Sequence, residues 1–166
     1  FLVIGMGTTG KTCLIRQYVH KLFQPNMRQT IGVDFALKVL RKGDLSITLQ
    51  LWDISGQERG GGMTRVYYQQ AAGALVCYDS SDPASFAGLQ IWKDDLDYKL
   101  TLPGGRSVPC VLGATKCDLP EHPPRTDESL DEYVKAHDYV GWIRTSAKEN
   151  IRVDAAFDML IDKVRR

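Results

Sequence analysis

The chain has 166 residues, of which 43% are hydrophobic and 25% are charged, a globular composition that excludes a disordered or fibrous chain. This length suits one domain with a single buried core, and we expect residues 1–166 to form that domain. The formal net charge of +1 excludes an overall basic field that would attract nucleic acid or anionic lipid.

The first half of the chain predicts three strands and one helix. An apolar run over residues 1–4 predicts a buried strand, and helical spacing follows from about Lys11 to Leu22. Residues 31–40 and 45–53 predict two strands that the short turn RKGD joins into a hairpin. The second of these strands alternates apolar and polar residues, as a half-buried strand does.

Continuous apolar runs mark the core strands of the second half. Residues 73–79 and 109–115 each predict a buried strand. Between them, apolar residues recur at helical spacing and predict one helix from about Asp82 to Leu100. The proline-rich segment at 120–125 predicts a loop, because proline fits neither a helix interior nor a central strand.

The last part of the chain predicts a helix from about Glu128 to His137, a short strand at 141–145 and a closing helix from about Val153. Strands alternating with helices in this order predict an α/β fold of the P-loop NTPase type. The fold is a three-layer sandwich with a mostly parallel six-stranded sheet and one antiparallel hairpin. Ligands of such folds bind beyond the carboxyl ends of the strands.

The cysteines and the chain ends add little to this interpretation. No paired metal-ligand spacing relates the cysteines, so we expect free thiols and a cytosolic protein. They are Cys13, Cys77, Cys110 and Cys117. The chain begins inside a strand-like run without methionine and stops in a helical pattern, so we expect that both termini are trimmed.

The segment GMGTTGKT fits the phosphate-loop pattern G-x-x-x-x-G-K-[ST], and it follows a predicted strand and opens a predicted helix. Its glycines allow backbone N–H groups to converge on one anion. Lys11 can bridge terminal phosphates, and the Thr12 hydroxyl can ligate Mg²⁺. The alternative is a glycine turn with an incidental lysine. The predicted phosphate-binding residues are Gly5, Gly7, Thr8, Thr9, Gly10, Lys11, Thr12, Cys13 and Gly56.

A metal and a reacting water are predicted by the segment DISGQE. Asp53 ends an apolar strand and can hold Mg²⁺ together with Thr12, with Thr30 as a further hydroxyl ligand. The Gly56 N–H can approach a terminal phosphate, and the Gln57 carboxamide can position an attacking water. The alternatives are an acidic strand end before a polar turn and, for Thr30, an ordinary threonine at a strand start.

Two late segments, TKCD and TSAKEN, each follow a predicted core strand and predict a guanine-binding site. The Asp118 carboxylate can accept hydrogen bonds from N1–H and the 2-amino group of guanine, whereas adenine offers neither. The Lys116 stem can cover one face of the base. The Ala147 N–H can reach guanine O6, with Ser146 shaping the turn and Lys148 packing nearby.

With GMGTTGKT, DISGQE, TKCD and TSAK in this order, the whole chain resembles the Ras-like small GTPases. Within them TIGVDF, LQLWD and MTRVYY are similar to Rab signature segments. The longer segments TIGVDFALKVL, WKDDLDYKLTLP and GWIRTSAKENI look most like the Rab subgroup serving lysosome-related organelles. The resemblance assigns Phe23 and Thr115 to the guanine site, although a phenylalanine such as Phe23 is more often a core residue.

The resemblance implies a switch that cycles between GTP-bound and GDP-bound states with Mg²⁺. Residues 23–34 would be switch I and residues 53–70 switch II, both ordered by the γ-phosphate. Phe35, Trp52 and Tyr67 match the aromatic triad of the Rab effector surface, and core packing is the alternative for each.

Partners and location follow from the same resemblance. An exchange factor, a GTPase-activating protein and effector proteins are implied, and nucleic acid is not. The protein would be cytoplasmic and reversibly associated with the cytosolic face of endomembranes, lysosome-related or endosomal. Its membrane attachment would use C-terminal lipidation outside this segment.

Several positions depart from the family pattern. Thr115 replaces an asparagine that contacts guanine N7 and ties to the phosphate loop, although the Rho branch also uses threonine there. Ser55 replaces an alanine beside the γ-phosphate site, and Thr8 and Thr9 replace a frequent Gly and Val. A glycine run raises the entropy cost of ordering switch II, so we expect that segment to be unusually mobile. The run is Gly60, Gly61 and Gly62.

Three functions fit these motifs. The first is a regulatory GTPase whose slow intrinsic hydrolysis uses a water positioned by Gln57. The second, prompted by Ser55 and the glycine run, is a nucleotide-binding scaffold with little turnover. The third is a small phosphotransferase, which would need a basic lid and an acceptor pocket that no arginine-rich insertion supplies.

Overall fold

The computed structural model describes residues 1–25, 30–58 and 64–165. The glycine run Gly60, Gly61 and Gly62 lies outside the described residues. The strands of the described part are β1 (Leu2–Gly5), β2 (Val33–Lys42), β3 (Leu45–Ile54), β4 (Ala74–Asp79), β5 (Cys110–Thr115) and β6 (Gly141–Arg144). The helices there are α1 (Lys11–His20), α2 (Thr64–Tyr68), α3 (Pro83–Ala87), α4 (Leu89–Lys99), α5 (Asp127–Ala136) and α6 (Val153–Val164).

The strands form one six-stranded sheet in the order β2-β3-β1-β4-β5-β6. β2 and β3 pair in antiparallel fashion, and every other neighbouring pair is parallel. β4 and β5 are buried along their whole length, as their continuous apolar sequences predict. The predicted fold class is confirmed, and the parallel strands all end at the same edge of the sheet.

Helices cover both faces of the sheet and give the fold its three layers. On one face, α2, α4 and α5 bury Tyr68, Trp92 and Leu130 against the strands. On the other face, α1 and α6 pack together, with the rings of Tyr18 and Phe157 stacked at 4.0 Å between centroids. These two apolar clusters provide the burial that stabilises the sheet and holds its loops in place.

The helix predicted over 82–100 is wrong as a single element, because α3 and α4 meet at Gly88. The side chain of Met6, from the phosphate loop, lies against Gly88. A Cβ built there would come 2.4 Å from Met6 Cγ. Asp82 caps α3 by accepting from the Ala84 N–H at 3.0 Å. Gly88 keeps helical dihedral angles (φ −78°, ψ −13°) between the two helices, and its contact with Met6 leaves no room for a side chain there.

A second difference is α2, five residues long, which lies in a stretch for which the periodicity predicts no helix. Tyr68 fixes its end by burying its ring completely and donating to Asp95 Oδ2 at 2.7 Å. Across the described ranges, no helix combines the length and the apolar character needed to cross a membrane.

Candidate functional site

A cavity of about 540 Å³ lies beyond the carboxyl ends of the parallel strands. It brings together residues from the phosphate loop, from the chain before β2 and from the chain after β3. Residues of TKCD and TSAKEN, which we call the base-reading segments, complete the lining. The predicted site residues that line it are Gly7, Thr8, Gly10, Lys11, Thr12, Cys13, Phe23, Thr30, Gly56, Thr115, Lys116, Asp118, Ala147 and Lys148. Five predicted residues lie outside this lining: Gly5, Thr9, Asp53, Gln57 and Ser146.

Two glycines and a buried threonine determine the backbone conformation of the phosphate loop. Gly5 has φ +148° and lies so close to β4 that an added Cβ would come 2.3 Å from the Cys77 carbonyl oxygen. Gly10 has φ +87° and leads directly into α1. Thr9 is buried, and its hydroxyl donates to the Met6 carbonyl at 2.9 Å, so it supports the loop from behind.

The Lys11 ammonium group is held inside the loop. Its Nζ donates to the carbonyl oxygens of Gly5 at 3.0 Å and Met6 at 2.7 Å. Burial lowers the pKa of Lys11, and the nearby carboxylate of Asp53 opposes that change. A cation at the N-terminal end of α1 forms a favourable environment for an anion.

Three oxygen-bearing side chains meet behind the cavity. Thr12 donates to Asp53 Oδ2, while the Thr30 hydroxyl lies 2.6 Å from the Thr12 hydroxyl and 3.4 Å from Asp53 Oδ2. The other carboxylate oxygen, Asp53 Oδ1, is buried and has no hydrogen-bond partner among the described residues. Burial raises the pKa of Asp53, and the Thr12 hydrogen bond opposes that rise.

These donors fit Mg²⁺, which prefers oxygen ligands and is usually held by one or two carboxylates together with waters and phosphate oxygens. Over residues 1–25, 30–58 and 64–165, no cluster of three or more His, Cys, Asp or Glu side chains could hold a metal by itself. Thr12, Thr30 and Asp53 offer three side-chain oxygens, and waters or phosphate oxygens would complete the six ligands of an octahedral Mg²⁺.

The segment after β3 packs directly on the phosphate loop. Gly56 lies so close to Gly7 that the gap excludes any side chain. Ser55 is buried, and its hydroxyl accepts from the Gln57 N–H at 3.3 Å. The Gln57 side chain is exposed on a 3₁₀ turn over Gly56–Glu58. The structure thus places Gln57 next to the cavity in sequence but not among its lining residues.

The two base-reading segments are joined by short hydrogen bonds. Ser146 is buried and donates through Oγ to Asp118 Oδ1 at 2.7 Å. The Cys117 N–H donates to the Thr145 carbonyl at 2.9 Å. Asp118 itself is exposed, so these contacts, rather than burial, determine where its carboxylate points.

Lys116 crosses from the base-reading segment to the phosphate loop. Its backbone is in the left-handed region at φ +58°, and its stem passes Gly10. Its Nζ donates to the Thr8 carbonyl at 3.0 Å and pairs with Asp79 Oδ2 at 2.9 Å. Partial burial would raise the pKa of Asp79, but hydrogen bonds from Lys116 and Ser81 outweigh it and lower that pKa.

Thr115 is shorter than the asparagine usual at this position, yet it still contacts the phosphate loop. Its hydroxyl is buried and lies 2.5 Å from the Thr9 carbonyl oxygen and 3.0 Å from the Tyr78 carbonyl oxygen. A threonine at this position therefore still connects β4, β5 and the phosphate loop through one side chain.

Two residues of this arrangement were not predicted. Gln17, on α1, donates through Nε2 to the Ala147 carbonyl at 2.7 Å and so ties the second base-reading segment to the helix after the phosphate loop. Asp79 holds the end of Lys116. Signals were present in both cases, because Gln17 is a polar residue on an apolar helical face and Asp79 is the last residue of a buried strand.

Two of the three predicted effector residues, Phe35 and Trp52, are in contact. The Phe35 and Trp52 rings meet edge to face with 4.9 Å between centroids, at paired positions of β2 and β3. Phe35 is exposed, while Trp52 and Tyr67 are partly buried against the core. Core packing therefore accounts for part of the Trp52 and Tyr67 side chains but not for Phe35.

Comparison with known proteins agrees with this geometry. The model of the Ras family matches residues 1–166. Ras-related protein Rab-32 of Sus scrofa is 49% identical over 164 residues, which cover 98% of this chain and 73% of that protein. Ras-related protein Rab-7L1 of Homo sapiens is 45% identical over 166 residues, covering 99% and 81%. Rab-32A of Dictyostelium discoideum is 43% identical, covering 98% and 76%.

Proposed function

The chain belongs to the Ras family of small GTPases, and from that premise we propose how its own residues bind and hydrolyse GTP. It is a small regulatory GTPase of the Rab type that converts GTP to GDP and phosphate and functions in membrane trafficking. The family membership favours this activity over the scaffold and phosphotransferase interpretations. The residue roles below are proposals.

The phosphates are held by the loop from Gly5 to Thr12, with Cys13 adding a backbone amide in the first turn of α1. Lys11 supplies the charge for the terminal phosphates, because its ammonium group is already held within the loop by carbonyl contacts. Gly56 brings a backbone N–H to the terminal phosphate from the opposite side, which its contact with Gly7 supports.

Mg²⁺ would be held by Thr12, Thr30 and Asp53, whose oxygens converge behind the cavity. When bound, the ion would neutralise charge on the phosphates. Thr30 contacts both Thr12 and Asp53 and belongs to the segment that the family resemblance assigns to switch I. Thr30 is therefore the proposed link between the bound phosphate and switch I.

Hydrolysis requires a positioned water, and Gln57 is the proposed residue for this step. Its backbone N–H is anchored on the Ser55 hydroxyl, while its exposed carboxamide is free to turn. Family members of this type hydrolyse GTP slowly until a partner supplies an arginine. We therefore expect slow intrinsic turnover and strong stimulation by an activating protein.

The base is read by Asp118, with Lys116 covering one face and Phe23 the other side of the cavity. The Ala147 N–H is the proposed donor to guanine O6, in a turn supported by Ser146 and Lys148. Asp118 supports guanine recognition because its carboxylate is already oriented by the Ser146 hydroxyl. Thr115 connects this part of the site to the phosphate loop.

Binding of guanine nucleotide, regulators and effectors is a family property, and the particular partners here are proposals. Phe35, Trp52 and Tyr67 form the proposed effector surface, of which Phe35 is the exposed member. An exchange factor and a GTPase-activating protein would act at the same side of the molecule. C-terminal lipidation would hold the protein on the cytosolic face of lysosome-related or endosomal membranes, as similarity to Rab-32 and Rab-7L1 suggests.

One observation carries the residue assignment: a single cavity is lined by the phosphate loop at one end and by Asp118 at the other. The test is to identify the nucleotide that copurifies with the protein and to compare Asp118→Asn with the unmodified chain. We expect GDP or GTP in the unmodified protein and a shift toward xanthine nucleotides in the variant. Equal affinity for ATP and GTP would contradict the assignment.

A further inference from the structure

Arg144 is the last residue of β6, two positions before Ser146, and its side chain turns toward the loop that follows Asp118. We propose that Arg144 is a positioning residue for guanine selectivity, which fixes the position of the two base-reading segments relative to each other. This inference rests on the proposed role of Asp118 in reading guanine.

The Arg144 guanidinium makes three hydrogen bonds, two to the loop between β5 and α5 and one to the first residue of α5. Nε donates to Glu121 Oε1 at 2.8 Å, Nη1 to Asp127 Oδ1 at 2.6 Å, and Nη2 to the Arg125 carbonyl at 2.8 Å. The guanidinium also lies 4.7 Å from the Trp142 ring centroid, which limits its tilt. A planar group with donors in a rigid fork defines the position of its acceptors more closely than a single ammonium group could.

The loop that Arg144 holds has little secondary structure of its own. It is the proline-rich segment between β5 and α5, and Glu121 lies only three residues beyond Asp118. Glu121 also accepts from the Arg125 N–H through Oε2 at 2.9 Å, so the Arg144 contact closes a small ring. Without it, the loop would have more conformations available, and the Asp118 carboxylate would share that freedom.

The main chain of Arg144 adds a second connection. Its carbonyl accepts from Arg152 Nε at 2.7 Å, and Arg152 Nη2 lies 3.9 Å from Cys117 Sγ, next to Asp118. Ser146, two residues further, donates to Asp118 itself. Both flanks of the base-reading carboxylate are therefore tied to the end of β6.

Burial distinguishes this network from an ordinary surface ion pair. The Arg144 and Glu121 side chains are only 19% and 22% exposed, whereas Asp127 is 68% exposed. Exposed ion pairs contribute little free energy, so the contact with Glu121 should stabilise the position of Arg144 more than the contact with Asp127 does. In the proposed complex, Asp118 accepts hydrogen bonds from both N1–H and the 2-amino group of guanine. We expect a displaced carboxylate to lose the bond to the 2-amino group before the bond to N1–H.

The experiment compares GDP with inosine diphosphate, whose base lacks the 2-amino group but keeps N1–H and O6. Dissociation constants for both are measured by competition on the chain as it stands, on Arg144→Ala, and on Glu121→Gln as a milder variant. Asp118→Asn tests the proposed base reader. Lys42→Ala is the matched control, because Lys42 makes ion pairs to Asp158 and Asp162 away from the base.

We expect Arg144→Ala to weaken GDP binding roughly tenfold and inosine diphosphate binding much less, equivalent to losing one oriented hydrogen bond. Glu121→Gln should also reduce the preference for GDP over inosine diphosphate. Arg144→Lys should retain part of that preference, and Lys42→Ala should leave it unchanged. If Arg144→Ala and Glu121→Gln weaken both nucleotides by equal factors, the inference is overturned and Arg144 only stabilises the fold. If Asp118→Asn keeps the preference for GDP, the proposed base reader itself is wrong.

Discussion

Gly56 and Gly7 approach each other so closely that a Cβ built on Gly56 would come 2.1 Å from the Gly7 backbone nitrogen. This contact joins the segment after β3 to the phosphate loop with no side chain between them. Because we propose that both backbones contact the terminal phosphate, this one glycine pair would position the two halves of the proposed phosphate site.

Gly56→Ala should therefore displace the phosphate loop or the segment after β3. We expect GTP affinity to fall at least tenfold, with a smaller loss for GDP, because the proposed contact with the terminal phosphate is the one disturbed. Fluorescent-nucleotide titration measures both affinities. The control is Gly104→Ala, at φ +83° with no atom within 4 Å of an added Cβ, which adds backbone strain far from the site. Unchanged GTP affinity in Gly56→Ala would contradict the assignment.

Gln57→Leu should abolish activator-stimulated hydrolysis while leaving GTP affinity largely intact. The Gln57 side chain is exposed, so the free energy of unfolding should change by no more than about 0.5 kcal/mol. Single-turnover hydrolysis with and without an activating protein measures the effect. Gln50→Leu, at an exposed glutamine of β3 outside both proposed switches, should hydrolyse GTP normally. Stimulated rates in Gln57→Leu equal to those of the unmodified protein would remove Gln57 from the mechanism.

Two buried threonines allow a matched test of the Thr115 link. Thr115→Val removes the hydroxyl that reaches the Thr9 and Tyr78 carbonyls, and should cost about 1–3 kcal/mol in unfolding free energy and speed nucleotide release. Thr145 is equally buried, but its hydroxyl has no partner among the described residues, so Thr145→Val should leave the free energy of unfolding nearly unchanged. Denaturant unfolding compares the two variants, and the nucleotide dissociation rate is measured for Thr115→Val. Equal effects of the two variants would argue against the link.

Asp79 makes stability depend on pH in a definite direction. Its pKa is lower in the folded protein than the ordinary value of 3.8, because hydrogen bonds from Lys116 and Ser81 outweigh burial. The folded state therefore binds this proton less readily than the unfolded state does. The stabilisation is fully present above pH 3.8 and is lost as the pH falls through the lower folded-state pKa.

The variant Asp79→Asn should consequently be less stable than the unmodified protein at pH 7, and the difference should shrink as the pH falls below 3.8. Denaturant unfolding at several pH values between 7 and 3 measures this difference. Asp154→Asn, which breaks an exposed pair with Lys21, should have little effect throughout. A difference for Asp79→Asn that stays constant across this range would show that its ionisation does not contribute.

Much of the fold could be predicted because its signals are local. The apolar runs of β4 and β5, the alternation in β3 and the spacing of apolar residues in α1 and α6 appear within short windows. The contact of Gly88 with Met6 could not be predicted, since the two residues are distant along the chain. For the site, the motifs named most residues that line the cavity. They did not name Gln17 or Asp79, whose partners are set by how α1 and β4 pack.

The sequence alone determined the order of the strands and of most helices, the phosphate loop, and the carboxylate and amide groups proposed for a metal, a water and a base. These follow from residue types at fixed short spacings, where backbone geometry leaves few alternatives. Only the tertiary structure decided which side chains hold these groups in place: Ser146 on Asp118, Asp79 on Lys116, and Arg144 on the loop at 121–127. Such contacts join residues far apart in the chain, and their geometry exists only once burial of the two apolar clusters has brought the strand ends together.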